Sequence, residues 1–222
     1  MAEKTASPIH KTSVRQLPRN VWAVGFTSFF MDISSEMVLN ILPLFLSNVL
    51  GVQTSIIGLI DGIAETTASI IKLFSGWVSD KIGGRKWLAV IGYGLSAVTK
   101  PFFYIASSWG LIAGVRWVDR IGKGIRTAPR DALVADSVTP ETRGLAFGFH
   151  RALDTAGALV GIIIAALAVW LAQRNALELS KSTFQTIVII SLVPAFLSVL
   201  TLAFGAQDVI PKGQHTPPKI SF

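Results

Sequence analysis

From about residue 21 to residue 204 the chain alternates long apolar runs with short polar separators. Each run holds about 20 residues or more, the length an α-helix needs to cross a hydrocarbon layer about 30 Å thick. The pattern predicts six spans, at about 21–46, 54–75, 87–106, 109–136, 144–171 and 183–204. Pro43 predicts a bend in the first and Pro194 a kink in the last. The separators are 48–55, 76–86, the pair Ser107-Ser108, the turn 139–143, and 173–182. Residues 1–20 are polar and basic, with Lys4, Lys11, Arg15, Arg19, Pro8 and Pro18, and read as a tail. Residues 205–222, with Pro211, Pro217 and Pro218, read as a second tail or the start of a central linker that then stops. The first apolar run is too long for a signal peptide, contains Asp32 and Glu36, and lacks a small-residue cleavage site, so it is expected to stay.

Composition agrees with an all-α membrane protein. Of 222 residues, 51% are hydrophobic and 15% charged, and the mean hydropathy is +0.56, which excludes an ordinary soluble domain. No cysteine is present, so disulfides and thiol metal sites are excluded. The net charge of +7 does not indicate nucleic acid, because much of it lies at span ends and within spans. Basic residues gather in the N-terminal tail and in 76–86, whereas the first two external separators carry no charge. Short basic loops stay inside, so both termini are expected in the cytoplasm and the chain in the cell membrane.

Charges within the spans are the candidate chemistry. Ionisable groups at membrane depth face a bundle interior, pair, or line a path. Asp32 and Glu36 are four apart on span one, and Asp61 and Glu65 four apart on span two, so each pair shares a helix face. Span three carries Lys100; span four carries Arg116, Asp119, Arg120, Lys123, Arg126, Arg130 and Asp131; span five carries His150, Arg151 and Asp154. Positions 116, 120, 123, 127 and 130 form one stripe, and Asp119 is within a turn of Lys123. Internal ion pairing accounts for most of these residues, and Lys72, Arg126 and Arg130 are placed to snorkel to the inner surface. Asp32, Glu36, Glu65, Arg120 and Asp154 count out closest to mid-bilayer, where transporters bind substrates and coupling ions. Asp61, Arg116 and Asp119 join them as substrate or proton-coupling candidates. His150 is expected to pack between helices, and no metal constellation is visible.

The separator 76–86 has the pattern G-x-x-x-D-K-x-G-x-R-K, set by Gly76, Asp80, Lys81, Gly83, Arg85 and Lys86. It resembles the loop signature between helices two and three of the major facilitator superfamily of transporters. Gly84 stands where that family often has Arg or Lys. The resemblance implies that Asp80 anchors a charge latch on the cytoplasmic gate; Arg126 and Arg130 should reach the same inner face from span four, and Asp80 is expected to pair with one of them, Arg130 preferred. It also implies a twelve-helix architecture in two six-helix halves, of which this chain is similar to the first.

Gly148, Gly157 and Gly161 are spaced nine and four apart, which suits close helix packing. The spacing also resembles the fifth-helix signature of the family's antiporters, with Ile162 in place of its proline and Ala165-Ala166 in place of its last two glycines. That resemblance favours efflux. The run Gly122-Lys123-Gly124 lacks the frame of a phosphate loop, and no Ser-His-Asp or zinc-protease motif is present, so no enzyme and no cofactor are expected. The expectation is secondary transport of a small molecule, ion- or proton-coupled. It would need a missing second half, or a second copy in parallel, ahead of a working monomer. The rival classes are a non-transporting partner subunit and a small intramembrane enzyme.

Overall fold

The computed structural model describes residues 13–172 and 179–209. Six long helices form the bundle among them: α1 Arg19–Leu39, α2 Thr54–Ile82, α3 Arg85–Ile105, α4 Trp109–Asp136, α5 Arg143–Ala172 and α6 Lys181–Gly205. By length and composition four of them can cross a membrane: α1 with its extension, α3, α5 and α6. In α2 and α4 charged residues interrupt the apolar character that such a crossing requires. Arg174 and Glu178 of the expected outer loop, and Pro211, Pro217 and Pro218 of the tail, lie outside the described residues.

Local chemistry sets several helix ends. Ser108 caps α4 by accepting from Leu111 N, and Ser180 caps α6 by accepting from Thr183 N. Asn40 and Ile41 break α1 just before Pro43; the chain then continues through a short turn, Leu42–Leu44, and a π-type turn, Phe45–Val49. Gly83 takes φ +71, the left-handed conformation that ends a helix at little cost only for glycine.

The stop at Gly83 corrects the expectation for 76–86. Gly76 to Ile82 belongs to α2 rather than to a turn, and only Gly83 and Gly84 separate α2 from α3. At 29 residues α2 is about 44 Å long, well over the thickness of a hydrocarbon layer. A charged segment past a membrane surface can therefore remain helical. The expected tail 1–20 is also shorter, since Leu17 is buried and α1 starts at Arg19.

Helix packing follows the order α2, α4, α3, α6, α1, α5, each touching the next along most of its length. The scheme is unchanged when α1, α2 and α3 are exchanged with α4, α5 and α6, the mark of two three-helix repeats. Glycines set the closest approaches. A Cβ on Gly157 or Gly161 would strike the backbone of Phe29 or Ile33 on α1, and one on Gly124 the backbone of Ala68 on α2. Gly148 does not belong with them, because nothing lies within 4 Å of a Cβ built there.

Apolar side chains fill both ends of the bundle. One cluster holds Met37, Phe45, Phe103, Ile112 and Phe184, with the Phe45 and Phe184 rings stacked at 3.9 Å. The other holds Val24, Met31, Ala97, Leu133 and Leu202. Large apolar side chains also cover the outside, among them Leu73, Phe74, Trp170, Val193 and Phe204. A surface so rich in contiguous apolar residues suits lipid rather than water.

Candidate functional site

Charged side chains from five helices meet inside the bundle, and helical spacing decides which of them face each other. On α2, Asp61 and Glu65 are one turn apart; on α4, so are Arg116 and Arg120. The α2–α4 seam puts them in register. Arg116 Nε and Nη2 each lie 3.0 Å from Asp61 Oδ1, and Arg120 Nη2 lies 3.0 Å from Glu65 Oε1. The two pairs share an asymmetry. The guanidinium side chains are only 8% and 7% exposed, while their carboxylate partners are 42% and 52% exposed. Arg116 Nη1 and Arg120 Nε are buried with no hydrogen-bond partner among the described residues. Lys123, one turn further along α4, forms no ion pair among them.

Each face of α2 has its own character. Gly58, Asp61, Gly62, Glu65, Ser69 and Lys72 follow at helical intervals on one uncovered flank. Leu59, Ile63, Ile70, Leu73 and Trp77 form another, also exposed and apolar except for Thr66, whose hydroxyl donates back to the Gly62 carbonyl. An apolar groove of about 390 Å³ lies along the α2–α4 seam, lined by Ile60, Ile63, Trp109 and Trp117 among others. Helical periodicity puts it on the far side of α2 from Glu65. On α5 the open flank carries Gly148 together with Gly144, Arg151 and Thr155.

Behind the α2–α4 pairs, Asp119 and Lys100 are buried side chains of opposite charge that act on each other electrostatically. Lys100 Nζ donates to Ser35 Oγ at 3.2 Å, and Ser96 Oγ donates to the Asp119 carbonyl at 3.2 Å. No ion pair joins Asp119 to Lys123, the contact that the spacing on α4 allowed; the charge that acts on it most is Lys100 on α3.

A second cluster centres on a serine. Ser28 Oγ lies 2.9 Å from His150 Nε2 and 3.0 Å from the Tyr93 hydroxyl, and it accepts from Arg130 Nη1 at 3.3 Å. Arg130 also holds Asp131 at 2.9 Å. Arg126 donates to Ser96 Oγ at 2.7 Å, with its guanidinium 4.5 Å from the Tyr93 ring centre. Asp154 lies 3.4 Å from Arg151 and 3.7 Å from His150, and its Oδ1 is buried without a hydrogen bond. Asp32 faces the same cluster, in electrostatic contact with Asp154, Arg126, Arg130 and Glu36. Glu36 Oε2 accepts from Asn40. Ser28, Ser96 and Tyr93 carry no signal in the sequence, because an isolated hydroxyl in an apolar run looks like packing.

The latch differs from the expected one. Asp80 pairs with Arg85 at 3.1 Å and not with Arg126 or Arg130; Arg85 also reaches Asp136 at the end of α4, at 2.5 Å. The left-handed turn at Gly83 brings Arg85 back beside Asp80, while Arg130 is held by Asp131 and Ser28. Lys81 and Lys86 lie over the rings of Trp77 and Trp87 at 5.0 Å each. Beside this latch the end of α6 and the residues after it clasp two other helices, α1 and α3. Arg19 donates to the carbonyls of Phe204 and Gly205, Asn20 exchanges two hydrogen bonds with Gln207, and Asp208 accepts from Lys86 N at 2.7 Å.

The fold, the paired intramembrane-type charges and the α2–α3 signature define a transporter-type helical bundle. The Major Facilitator Superfamily profile matches residues 24–220, and the chain belongs to that family. It is 38% identical over 208 residues to the uncharacterized MFS-type transporter MJ1317 of Methanocaldococcus jannaschii, covering 94% of this chain and 49% of the relative. It is 22% identical to the uncharacterized MFS-type transporter YqjV of Bacillus subtilis, over 64% of this chain and 35% of that protein. The chain thus spans about half, or less, of the curated relatives it matches. Two solved structures share the fold. One is the human organic anion transporter MFSD10 (TETRAN), with a TM-score of 0.64 at 17% identity, covering 83% of this chain and 46% of that one. The other is a bacterial homolog of the human lysosomal transporter Spinster, inward-facing and unoccupied, with a TM-score of 0.63 at 13% identity over 92% and 48%.

Proposed function

We propose that the chain is one six-helix half of a secondary active transporter that moves a small molecule across the cytoplasmic membrane. Movement is coupled to an ion or proton gradient, and the α5 glycine pattern favours efflux. All six long helices cross the bilayer, with both chain termini in the cytoplasm. The observation that carries this reading is the pair of α2–α4 ion pairs, whose carboxylates open onto a polar flank of α2. A charge at the centre of a membrane helix costs about 2.5–3.5 kcal/mol on insertion scales, so such a flank belongs on a water-filled path. The uncovered flanks of α2 and α5 are the surfaces that a second six-helix unit would cover, and the length of the relatives agrees with two units.

Asp32, Glu36 and Glu65 are the coupling candidates, with Asp154 beside Asp32. The test uses membrane vesicles holding the protein, an imposed pH gradient and a fluorescent reporter of internal pH. The amide variants Asp32→Asn, Glu36→Gln and Glu65→Gln are compared for gradient-driven flux and for solute exchange without a gradient. At least one should lose the first and keep the second. Unchanged gradient-driven flux in all three would sink the coupling proposal.

A further inference from the structure

The α2–α4 ion pairs have more to give than they use. Arg116, Arg120 and Lys123 occupy one stripe of α4, at intervals of four and three residues, over about 10 Å. The carboxylates paired with this stripe are two, Asp61 and Glu65, against three cations. Arg116 Nη1 and Arg120 Nε are buried N–H donors without an acceptor, on side chains more than nine-tenths buried. A buried donor left unpaired costs about 1–3 kcal/mol, more when charged. The carboxylates, by contrast, are about half exposed on the polar flank of α2, whereas the guanidinium side chains are buried.

We propose that this stripe is the substrate site and that the substrate is a small organic or inorganic oxyanion, carrying carboxylate or phosphate oxygens. The inference rests on the transport reading above and names its substrate class. The oxyanion competes with Asp61 and Glu65 for the same guanidinium edges, taking two N–H groups of Arg120 or Arg116 side by side, the geometry that arginine offers to such anions. Lys123 supplies the surplus positive charge. Asp61 and Glu65 balance Arg116 and Arg120 while the site is empty and give way when the anion arrives. Asp119 is buried behind the stripe, where Lys100 on α3 is its foremost counter-charge.

Competition makes a prediction that a purely structural ion pair does not. Removing a carboxylate should tighten anion binding, and removing a cation should weaken it. The experiment titrates the purified full chain in lipid nanodiscs with citrate and, separately, inorganic phosphate. The reporter is intrinsic tryptophan fluorescence, to which Trp117, next to Arg116 and bonded to Thr67, contributes. Sodium chloride at matched ionic strength and tetramethylammonium are the controls. Glu65→Gln and Asp61→Asn are each expected to lower Kd about tenfold for citrate or phosphate, the gain from removing one charged competitor. Lys123→Gln should raise it severalfold. The double variant Arg120→Gln/Glu65→Gln, which leaves the net charge of the site unchanged and so guards against misfolding, should raise it about tenfold or more. Which oxyanion binds tells carboxylate from phosphate.

Two results would overturn the proposal. One is that neither oxyanion binds the wild type or Glu65→Gln beyond the salt control. The other is that Glu65→Gln weakens binding, above all if tetramethylammonium binds instead, which would make the site cationic. Binding with these signs but no flux in vesicles would leave the site standing and remove the transport reading; flux without oxyanion binding would do the reverse.

Discussion

Gly161→Ala and Gly148→Ala make the same chemical change on the same helix and should move stability in opposite directions. At Gly161 the added Cβ would stand 2.5 Å from the Ile33 carbonyl oxygen and 3.0 Å from its Cα. An ordinary carbon–oxygen contact is about 3.3 Å or more, so α1 and α5 must separate by nearly an ångström there. No rotamer relieves the overlap, because both partners are backbone. Overpacking of this kind costs about 1–3 kcal/mol, and the gain in helix propensity, about 1 kcal/mol, offsets only part of it. At Gly148 the Cβ meets nothing within 4 Å, so the propensity gain stands alone. The two variants should therefore differ by about 2 kcal/mol, with Gly148→Ala above wild type and Gly161→Ala below. Denaturant unfolding of the purified chain in mild detergent, followed by circular dichroism, reads both midpoints. Equal shifts in one direction would refute the reasoning that the α1–α5 approach is set by backbone contact at Gly161.

The same assay separates the two acids of the cytoplasmic latch. Asp136→Asn leaves the largely buried Arg85 with only an exposed partner and should cost about 1–3 kcal/mol, whereas Asp80→Asn should cost about 0–1. Asn20→Ala removes two hydrogen bonds to Gln207 and one to Ser137, so a loss of about 2–3 kcal/mol is expected. Faster hydrogen exchange at the Gln207 amide should accompany it. Ser28→Ala strips His150, Tyr93 and Arg130 of a shared buried partner at once, and its cost of about 1–3 kcal/mol should show in the unfolding midpoint.

Much of the helix layout was legible because a lipid-crossing helix must be long and apolar, and polar separators mark its ends. Trp109–Asp136 was readable despite its charges, since Ser107-Ser108 and the 139–143 turn bracket it. The extension of α2 through Gly76 and Asp80 was not, because a charged stretch past a span has the same composition whether helical or looped. Pairings were the least legible part. That Asp61 and Glu65 share a face follows from spacing, but that they meet Arg116 and Arg120 depends on the register of α2 against α4, fixed by close approach at Gly124 and Ala68. Asp80 went to Arg85 rather than Arg130 for a similar reason, a left-handed turn at Gly83 that spacing alone does not orient. The clasp of Arg19 and Asn20 on Phe204, Gly205 and Gln207 joins segments some 185 residues apart, beyond any local signal.

The central claim is that the Gly58–Lys72 flank of α2 lines an aqueous path while its neighbour faces lipid. Because the chain has no cysteine, single cysteines report without background. Gly62→Cys and Ser69→Cys probe the polar flank, and Ile63→Cys and Leu73→Cys the apolar one; a Cβ at Gly62 meets nothing within 4 Å. Each is reconstituted in lipid vesicles and exposed to a charged, membrane-impermeant maleimide. The account predicts rapid labelling at 62 and 69 and almost none at 63 and 73. Equal labelling of all four, or faster labelling of the apolar flank, would contradict it.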